Sequence, residues 1–596
     1  MPIDYQERTE EEYRRRASVM IQSFEGYRAG SYDAGDNMAT IGFGYTFNRN
    51  NNLELWERAG VELSQAERQQ LIAIDRAPNE QKTALGLAFD VRITREEARS
   101  LLENASLSRY ERHAANLDMP FSDERAVVVS LTYNRGPGRM ATHMQGFNDA
   151  TTDGDRAEAW YQLRYNSRGT NADPDVQLGL RARRNMEAEI FGLYNDPLNV
   201  TSDEARSVYR MFQLHRDDIL ENERNWGVDL EGNGARRNAI LQANNNYPDL
   251  VQEYGQIQTL TAALEPARNR LLEDLRGENP GLADRLQNED FTTTAIYLDS
   301  GRGLRTGNTL RQDQRNNTVQ EVDDNHAATL DSRRMRGNVE MASNDLLIGE
   351  GGNDTLRSHR GDDILMGGHG RDRMEGGEGR DTYVIDAGDT VRDSDGVGEL
   401  HWGGQALTGG ARAANDPANT YRSEDGRFTY ALENNTLSVT DTLARDQMGR
   451  EPAVIENFQN GQLVITLSEA GGVTRPQAAP LRAEEQERLR ASEEDRGTGN
   501  TAPIIPAPAP DTDDRQTSRE PARGPFDDPY ANSVYAALLA GDSNELDRIA
   551  GAFSRSPEGQ RMAELGEQML IQHQREAQTP SQDQHVQAHE GPAMRM

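Results

Sequence analysis

A glutamate that ends an amphipathic run, followed by two aspartates and a threonine in a glycine-punctuated stretch, is the pattern in this chain best suited to acid–base work. Residues 9–25 put Tyr13, Ala17, Met20, Ile21 and Phe24 on one face at three- and four-residue spacing, so Glu25 ends a helix and Gly26 follows it. The next stretch, SYDAGDNMATIGFGYTF, has strand and turn character and carries Asp33, Asp36 and Thr40. A carboxyl group at a helix end, partly buried against a hairpin, suits a general acid. With a second polar group across the scissile bond it suits glycoside cleavage. One group protonates the leaving oxygen, and the other holds water or stabilises an oxocarbenium-like state. The chain has no cysteine, which excludes disulfides and thiolate metal sites, and its ten histidines lack a zinc-ligand spacing.

A second constellation lies at 340–385. Asp345, Asp354, Asp363, Asp372 and Asp381 are nine residues apart, and two residues after each comes Leu347, Leu356, Leu365, Met374 or Tyr383. Glycines allow tight turns with carbonyls pointing inward, each Asp adds a hard anionic oxygen suited to calcium, and the apolar residue fills a narrow core. The copies GGHGRDRME (367–375) and GGEGRDTYV (376–384) fit G-G-x-G-x-D-x-U-x and resemble the calcium-binding nonapeptide of RTX proteins. Each nonapeptide is half a coil, so ligands pair eighteen apart: 345/363, 354/372 and 363/381, hence about three structural calcium ions. The copies at 340–348, 349–357 and 358–366 depart from the glycine pattern.

The elements that must position these residues make a multidomain α+β chain of 596 residues. Residues 1–195 read as a mostly helical domain with one β-hairpin, 196–290 as a helical spacer and 291–339 as an irregular connector. Residues 340–385 form a parallel β-roll, and 386–476 a β-rich cap with strand-like TYVIDA, RFTYALE, TLSVTD and QLVITL. A cap protects the open strand edge of such a roll. Residues 477–528 are a charged, Pro-rich, disordered linker, and 529–596 a small helical module with a Gln-rich tail. A net charge of −34 argues against nucleic acid as a partner, no apolar run is long enough to span a membrane, and MPIDYQERTEEEYRRR lacks the apolar region of a Sec signal.

Glu25-Gly26-Tyr27-Arg28, Tyr32 and Thr40-Ile41-Gly42-Phe43-Gly44 resemble phage-type lysozymes of glycoside hydrolase family 24. That family's pattern is E-G-x-R, an Asp nine residues after the Glu and a Thr at fifteen, within T-I-G-x-G-H. Downstream, RAVVVSLTYNRGPG (125–138) looks like the family's buried helix, and GLRARRNMEAEIF (179–191) like its closing G-L-x-x-R-R-x-x-E helix. The resemblance implies a lysozyme-like fold over 1–195, with Glu25 as general acid, Thr40 beside it, Arg28 as structural partner of an active-site carboxylate, and no cofactor in catalysis. Two positions depart: Ala34 stands at the ninth position and Tyr45 in place of the histidine. Either Asp33 or Asp36 supplies the second carboxylate, or it is missing and Glu25 alone supports transglycosylase-like cleavage.

The resulting expectation is a muramidase acting on peptidoglycan, carried on a calcium-binding antibacterial effector. It would be secreted or injected without a Sec signal and act in the periplasm or outside the cell. A periplasmic immunity protein and a secretion-system receptor, the latter read by residues 529–596, are the expected partners. The alternatives are a phage or prophage endolysin, and a non-catalytic glycan-binding or adhesion protein with a lysozyme-like fold.

Overall fold

The computed structural model describes residues 3–33, 37–167, 173–227, 237–287, 291–302, 325–336, 338–445 and 448–469, with a few residues between 304 and 323. The chain divides into two compact units, 1–482 with 591–596, and 483–590. All described residues lie in the first, so the expected linker and C-terminal module, like Asp36, fall outside them.

The first helix, Glu10–Glu25, starts at a capping box in which the Thr9 side chain accepts from the Glu12 amide and Glu12 reaches back. Its apolar stripe (Tyr13, Ala17, Met20, Ile21) is buried, as the spacing requires. A three-stranded antiparallel sheet follows: Arg28–Asp33, Ala39–Gly42 and Tyr45–Thr46. The central helix, Asp123–Arg135, is buried without a break from Ala126 to Tyr133, so it is enclosed on all sides rather than amphipathic. Its entry is held by ion pairs: Asp123 with Arg8 (2.7 Å) and Arg16 (3.1 Å), and Glu124 with Arg156 (2.9 Å). The closing helix, Pro174–Phe191, begins at the Asp173 cap and packs against the central one.

The described residues of 202–278 form five helices, packed directly onto the N-terminal region. His215 stacks on Tyr161 with ring centroids 3.6 Å apart and its Nε2 lies 2.9 Å from Glu158 Oε2. Tyr165 donates to Glu223 at 2.7 Å, Arg164 to the Gln258 carbonyl at 3.2 Å, and Tyr194 to the Ala263 carbonyl at 2.7 Å. One continuous core runs from Ile3 through Tyr209, Phe212, Leu264 and Leu271 to Leu346, Ile348, Ile364 and Met366. The helices expected as a spacer are thus a bracket between the N-terminal region and the roll.

The roll has two faces of parallel strands. One contains Leu346–Ile348, Ile364–Met366, Asp381–Ile385 and Gly398–Trp402; the other contains Thr355–Arg360, Arg373–Glu378 and Thr390–Arg392. Leu346 pairs with Ile364 and Thr355 with Arg373, so one coil is eighteen residues. The segment expected as a connector contributes to both faces: Ile296 pairs with Leu346, and Thr329 with Thr355. At the far end Arg373 pairs with Thr390 and Asp381 with Gly398, a step of seventeen. Antiparallel strands Phe428–Glu433 and Thr436–Asp441 then extend the second face through Ala453–Glu456.

If the bracket completes the N-terminal core, a chain cut after residue 195 loses it. Each kcal/mol lost lowers melting by roughly 2–4 °C in a domain near 200 residues. Several buried contacts are removed together, so the 1–195 fragment is expected to melt at least about 5 °C below a 1–287 fragment by circular dichroism. Equal melting temperatures would show that the helices are dispensable.

Candidate functional site

Glu25 occupies the last position of the first helix, before Gly26, and is partly buried. Its Oε1 accepts from Arg183 Nη1 at 2.7 Å. Among the described residues its Oε2 has no hydrogen-bond partner. Arg183 belongs to the closing helix and is nearly buried, which forces it to pair. Its Nε donates to Glu187 Oε1 at 3.1 Å, its Nη2 to the Ser130 carbonyl at 3.1 Å, and its guanidinium lies over the Phe24 ring at 4.5 Å. Burial works against the Arg183 charge, but Glu25 and Glu187 outweigh it and raise its pKa. Glu187 also accepts from Ser130 Oγ at 2.7 Å and pairs with Arg184, which in turn donates to Asn134. Burial alone would favour the neutral acid at Glu187, yet the two arginines hold its pKa down.

The hairpin register sets Tyr32 opposite Thr40 and Asp33 opposite Ala39. Thr40 is buried and donates weakly to the Met38 carbonyl, at 3.4 Å. Tyr133 of the central helix ties hairpin to helix end. Its hydroxyl donates to the Phe43 carbonyl at 2.6 Å, and its pKa is pushed up by burial first, then by the nearby Tyr110 and Glu25. Tyr32 is among its neighbours as well. Gly44 (φ +97°) is required at this turn, since a Cβ there would meet the Tyr133 hydroxyl at 2.6 Å. Glu25 and the Tyr32–Thr40 pair therefore share one neighbourhood around Tyr133. Asp33 is exposed at the strand end. Arg28 is exposed and its guanidinium lies 5.5 Å from the Tyr32 ring centroid, while the guanidinium on Glu25 comes from Arg183. The sequence signal for Arg183 was the Arg-Arg pair inside GLRARRNMEAEIF.

In the roll, Asp345, Asp354, Asp363, Asp372 and Asp381 are all buried. One oxygen of each later Asp caps the backbone eighteen residues earlier. Asp363 Oδ1 accepts from the Asp345 amide (2.8 Å), Asp372 from Asp354 (2.8 Å) and Asp381 from Asp363 (3.1 Å). The other oxygen of Asp354, Asp363, Asp372 and Asp381 is buried without a partner. A Cβ on Gly349, Gly367 or Gly376 would lie 2.5, 2.5 or 2.2 Å from such an oxygen. A Cβ on Gly368 would lie 2.1 Å from the Glu350 carbonyl, and one on Gly377 1.8 Å from the His359 carbonyl. Orphaned carboxylate oxygens beside turns crowded with carbonyls fit a hard cation with oxygen ligands. No group of three or more His, Cys, Asp or Glu side chains converges among the described residues, so an ion held here would have to draw on an Asp pair and backbone. Asp345 also has an oxygen without a hydrogen-bond partner, Oδ1, but Arg334 lies 3.5 Å from it and Ser343 donates to the other oxygen at 2.6 Å. Asp389, seventeen residues after Asp372, accepts from the Asp372 amide at 2.9 Å and extends the ladder outside the nine-residue phase.

These features define a lysozyme-type glycoside hydrolase joined to a calcium-binding β-roll, in which calcium is structural. Residues 22–187 match the phage lysozyme family model, and residues 341–365 and 348–383 match the RTX calcium-binding nonapeptide repeat. The chain thus contains both domains. No curated protein matches the chain. Among solved structures it is similar to the AlgE6R3 subunit of the Azotobacter vinelandii mannuronan C5-epimerase, at 21% identity over 32% of this chain and 94% of that one, with a TM-score of 0.16. Among the described residues no helix is long and apolar enough to cross a membrane.

Without calcium, burial raises the pKa values of these carboxyls. Burial, then the charge of Asp372, pushes Asp354 up to about 7; burial and Asp345 push Asp363 to about 7; burial and Asp363 push Asp381 to about 9. Folded pKa values above the unfolded 3.8 mean that the folded roll binds more protons than the unfolded one. Their stabilising contribution is therefore present at acid pH and lost as pH rises from about 4 through 7 to 9. In EGTA, residues 340–470 are expected to resist trypsin better at pH 5.5 than at pH 8.5, relative to an unstructured substrate digested in parallel, and calcium should remove the difference. A calcium-free roll protected at least as well at pH 8.5 contradicts this. Asp363→Ala, which touches two of the paired places, should lower the calcium count by calorimetry more than Asp345→Ala, whose carboxylate already has Ser343 and Arg334. Equal losses would count against the pairing.

Proposed function

We propose that the chain is a muramidase that cleaves the β-1,4 glycan backbone of peptidoglycan with Glu25 as general acid, exported as an antibacterial effector. The observation that carries this is the Glu25 carboxyl at the helix end: Arg183 fixes one oxygen at 2.7 Å and leaves Oε2 to carry the proton toward the glycosidic oxygen. Tyr133 brings this helix end beside the hairpin in which Thr40 pairs with Tyr32, and Thr40 is the candidate to orient water or the sugar. Asp33, at the exposed strand end, and Asp36 are the candidates for the second carboxylate. If neither acts, the sugar's own hydroxyl closes on the cationic carbon and the product carries an anhydro end.

Asp345, Asp354, Asp363, Asp372 and Asp381 would hold the calcium ions, which supply folding free energy rather than chemistry. Such a roll suits a protein that leaves the cell unfolded at low calcium and folds outside. This favours the effector over an endolysin and makes a periplasmic immunity protein and a secretion-system receptor its expected partners.

Glu25→Gln keeps the shape and a hydrogen-bond acceptor for Arg183 but cannot donate the acid proton. Lysis of peptidoglycan, followed as turbidity, should fall by roughly 10²–10⁴-fold with the melting temperature little changed. Activity above about a tenth of wild type would remove Glu25 from the role. Of Asp33→Asn and Asp36→Asn, one should be strongly impaired. If both are fully active, mass spectrometry of the products should show anhydro-muramyl ends instead of reducing ends.

A further inference from the structure

The bracket reaches the candidate site. Two of its short helices, Ala239–Asn246 and Pro248–Tyr254, lie beyond the matched lysozyme region, 22–187. The first packs along the closing helix and the second against the first helix. The second is fixed by Glu253, whose Oε1 is 3.0 Å from Arg15 and 3.5 Å from Arg16. At the corner between them sits Tyr247. Its amide donates to the Ala243 carbonyl and its carbonyl accepts from the Val251 amide, both at 3.0 Å, so its backbone is held by both helices. Its ring meets Phe24 edge-on, with centroids 4.7 Å apart and planes at 86°. Phe24 is the residue before Glu25, and the same ring carries the Arg183 guanidinium at 4.5 Å.

We propose that Tyr247 is a positioning residue for the hydrolase: it fixes the Phe24 ring, on which Arg183 lies, and so fixes the guanidinium that orients Glu25. Three contacts are arranged in series, Tyr247 on Phe24, Phe24 under Arg183, and Arg183 on Glu25. Edge-to-face aromatic packing and a cation over a ring are both weak and directional, so they restrict rotation more than they add stability. Phe24 is only half-buried, so without Tyr247 its ring gains freedom beside solvent. The Tyr247 hydroxyl lies in the field of Arg183, Glu187, Arg184 and Glu25, which places the side chain beside that charged cluster. Among the described residues the hydroxyl makes no hydrogen bond, so the ring and not the hydroxyl carries the effect.

This inference rests on Glu25 acting in cleavage. The test uses the full chain with calcium, on solubilised peptidoglycan, comparing Tyr247→Ala, Tyr247→Leu and Tyr247→Phe. Tyr247→Ala should lower kcat on the order of tenfold or more, as expected when an aligned group is loosened, with KM unchanged. Tyr247→Leu keeps the apolar volume but not the ring edge and should show the same loss, which covers the case in which the Ala variant melts below the assay temperature. Tyr247→Phe should restore wild-type kcat. A folded Ala or Leu variant with wild-type kcat overturns the proposal, as does a Phe variant as impaired as Ala. Glu25→Gln in the same assay separates the two readings. If it stays active, the assignment of Glu25 fails. If it is inactive while Tyr247→Leu is fully active, only the role of Tyr247 fails.

Discussion

A guanidinium taken out of water has to find its anions, and Arg183 is placed so that doing so joins three segments far apart in the chain. Arg183 and Glu187 are such a fully enclosed pair, and removing one partner of it costs roughly 3–5 kcal/mol, comparable with much of a domain's net stability. Arg183 meets Glu187 on its own helix, Ser130 on the central helix and Glu25 at the end of the first. Glu187, Ser130 and Arg184 are fully enclosed, so that side of the network can only be structural. Glu25 is only partly buried: one oxygen is held by Arg183, and the other has no hydrogen-bond partner among the described residues. The same ion pair that holds the helices together thus sets the orientation of the carboxyl group proposed to work on substrate.

Whether the sequence disclosed a feature depended on how local its cause was. The position of Glu25 followed from helical spacing and a glycine stop, both within one helix. Its partner did not. Arg28 is three residues away and Arg183 is 158 residues away, and only packing of the closing helix makes the distant one the neighbour. The hairpin was legible because glycine and the T-I-G-F-G spacing mark a turn, and Tyr133 explains why a glycine stands at position 44. The nine-residue period was legible because each unit repeats its own geometry. The step of seventeen that brings Asp389 into the ladder breaks that period and leaves no mark in the pattern.

The helices within 196–290 bury faces that carry no repeating signature, so their pattern alone gives only a spacer. The information was in the roll instead. Alternate repeats differ: DLLI and DILM are apolar at three consecutive positions, whereas DTLR and DRME have a single apolar residue between polar ones. A strand apolar on both faces must be covered on both sides. Leu347 and Leu365 point into the roll, while Leu346, Ile348, Ile364 and Met366 point outward into the core shared with the helices. The DTLR and DRME strands expose Arg357 and Arg373, which pair with Glu375. One face of the roll was thus committed to the bracket by its composition.

This shared face changes how calcium and the hydrolase stand to each other. Joined by a linker, roll and enzyme would fold independently. Here Glu350 belongs to both. Its backbone, at φ 64°, shapes a turn of the ladder, and its carbonyl crowds Gly368. Its carboxylate is held by Arg206 and Arg210 of the helix Ser202–Leu214. That helix turns Val208, Tyr209, Met211 and Phe212 into the common core. A turn that loses its shape would therefore uncouple Arg206 and Arg210 of that helix from the roll. The helices that carry Tyr247 to Glu25 are part of the same core, through Ile240, Ala243 and Leu250. Among the described residues, roll and site are thus joined through one packed core.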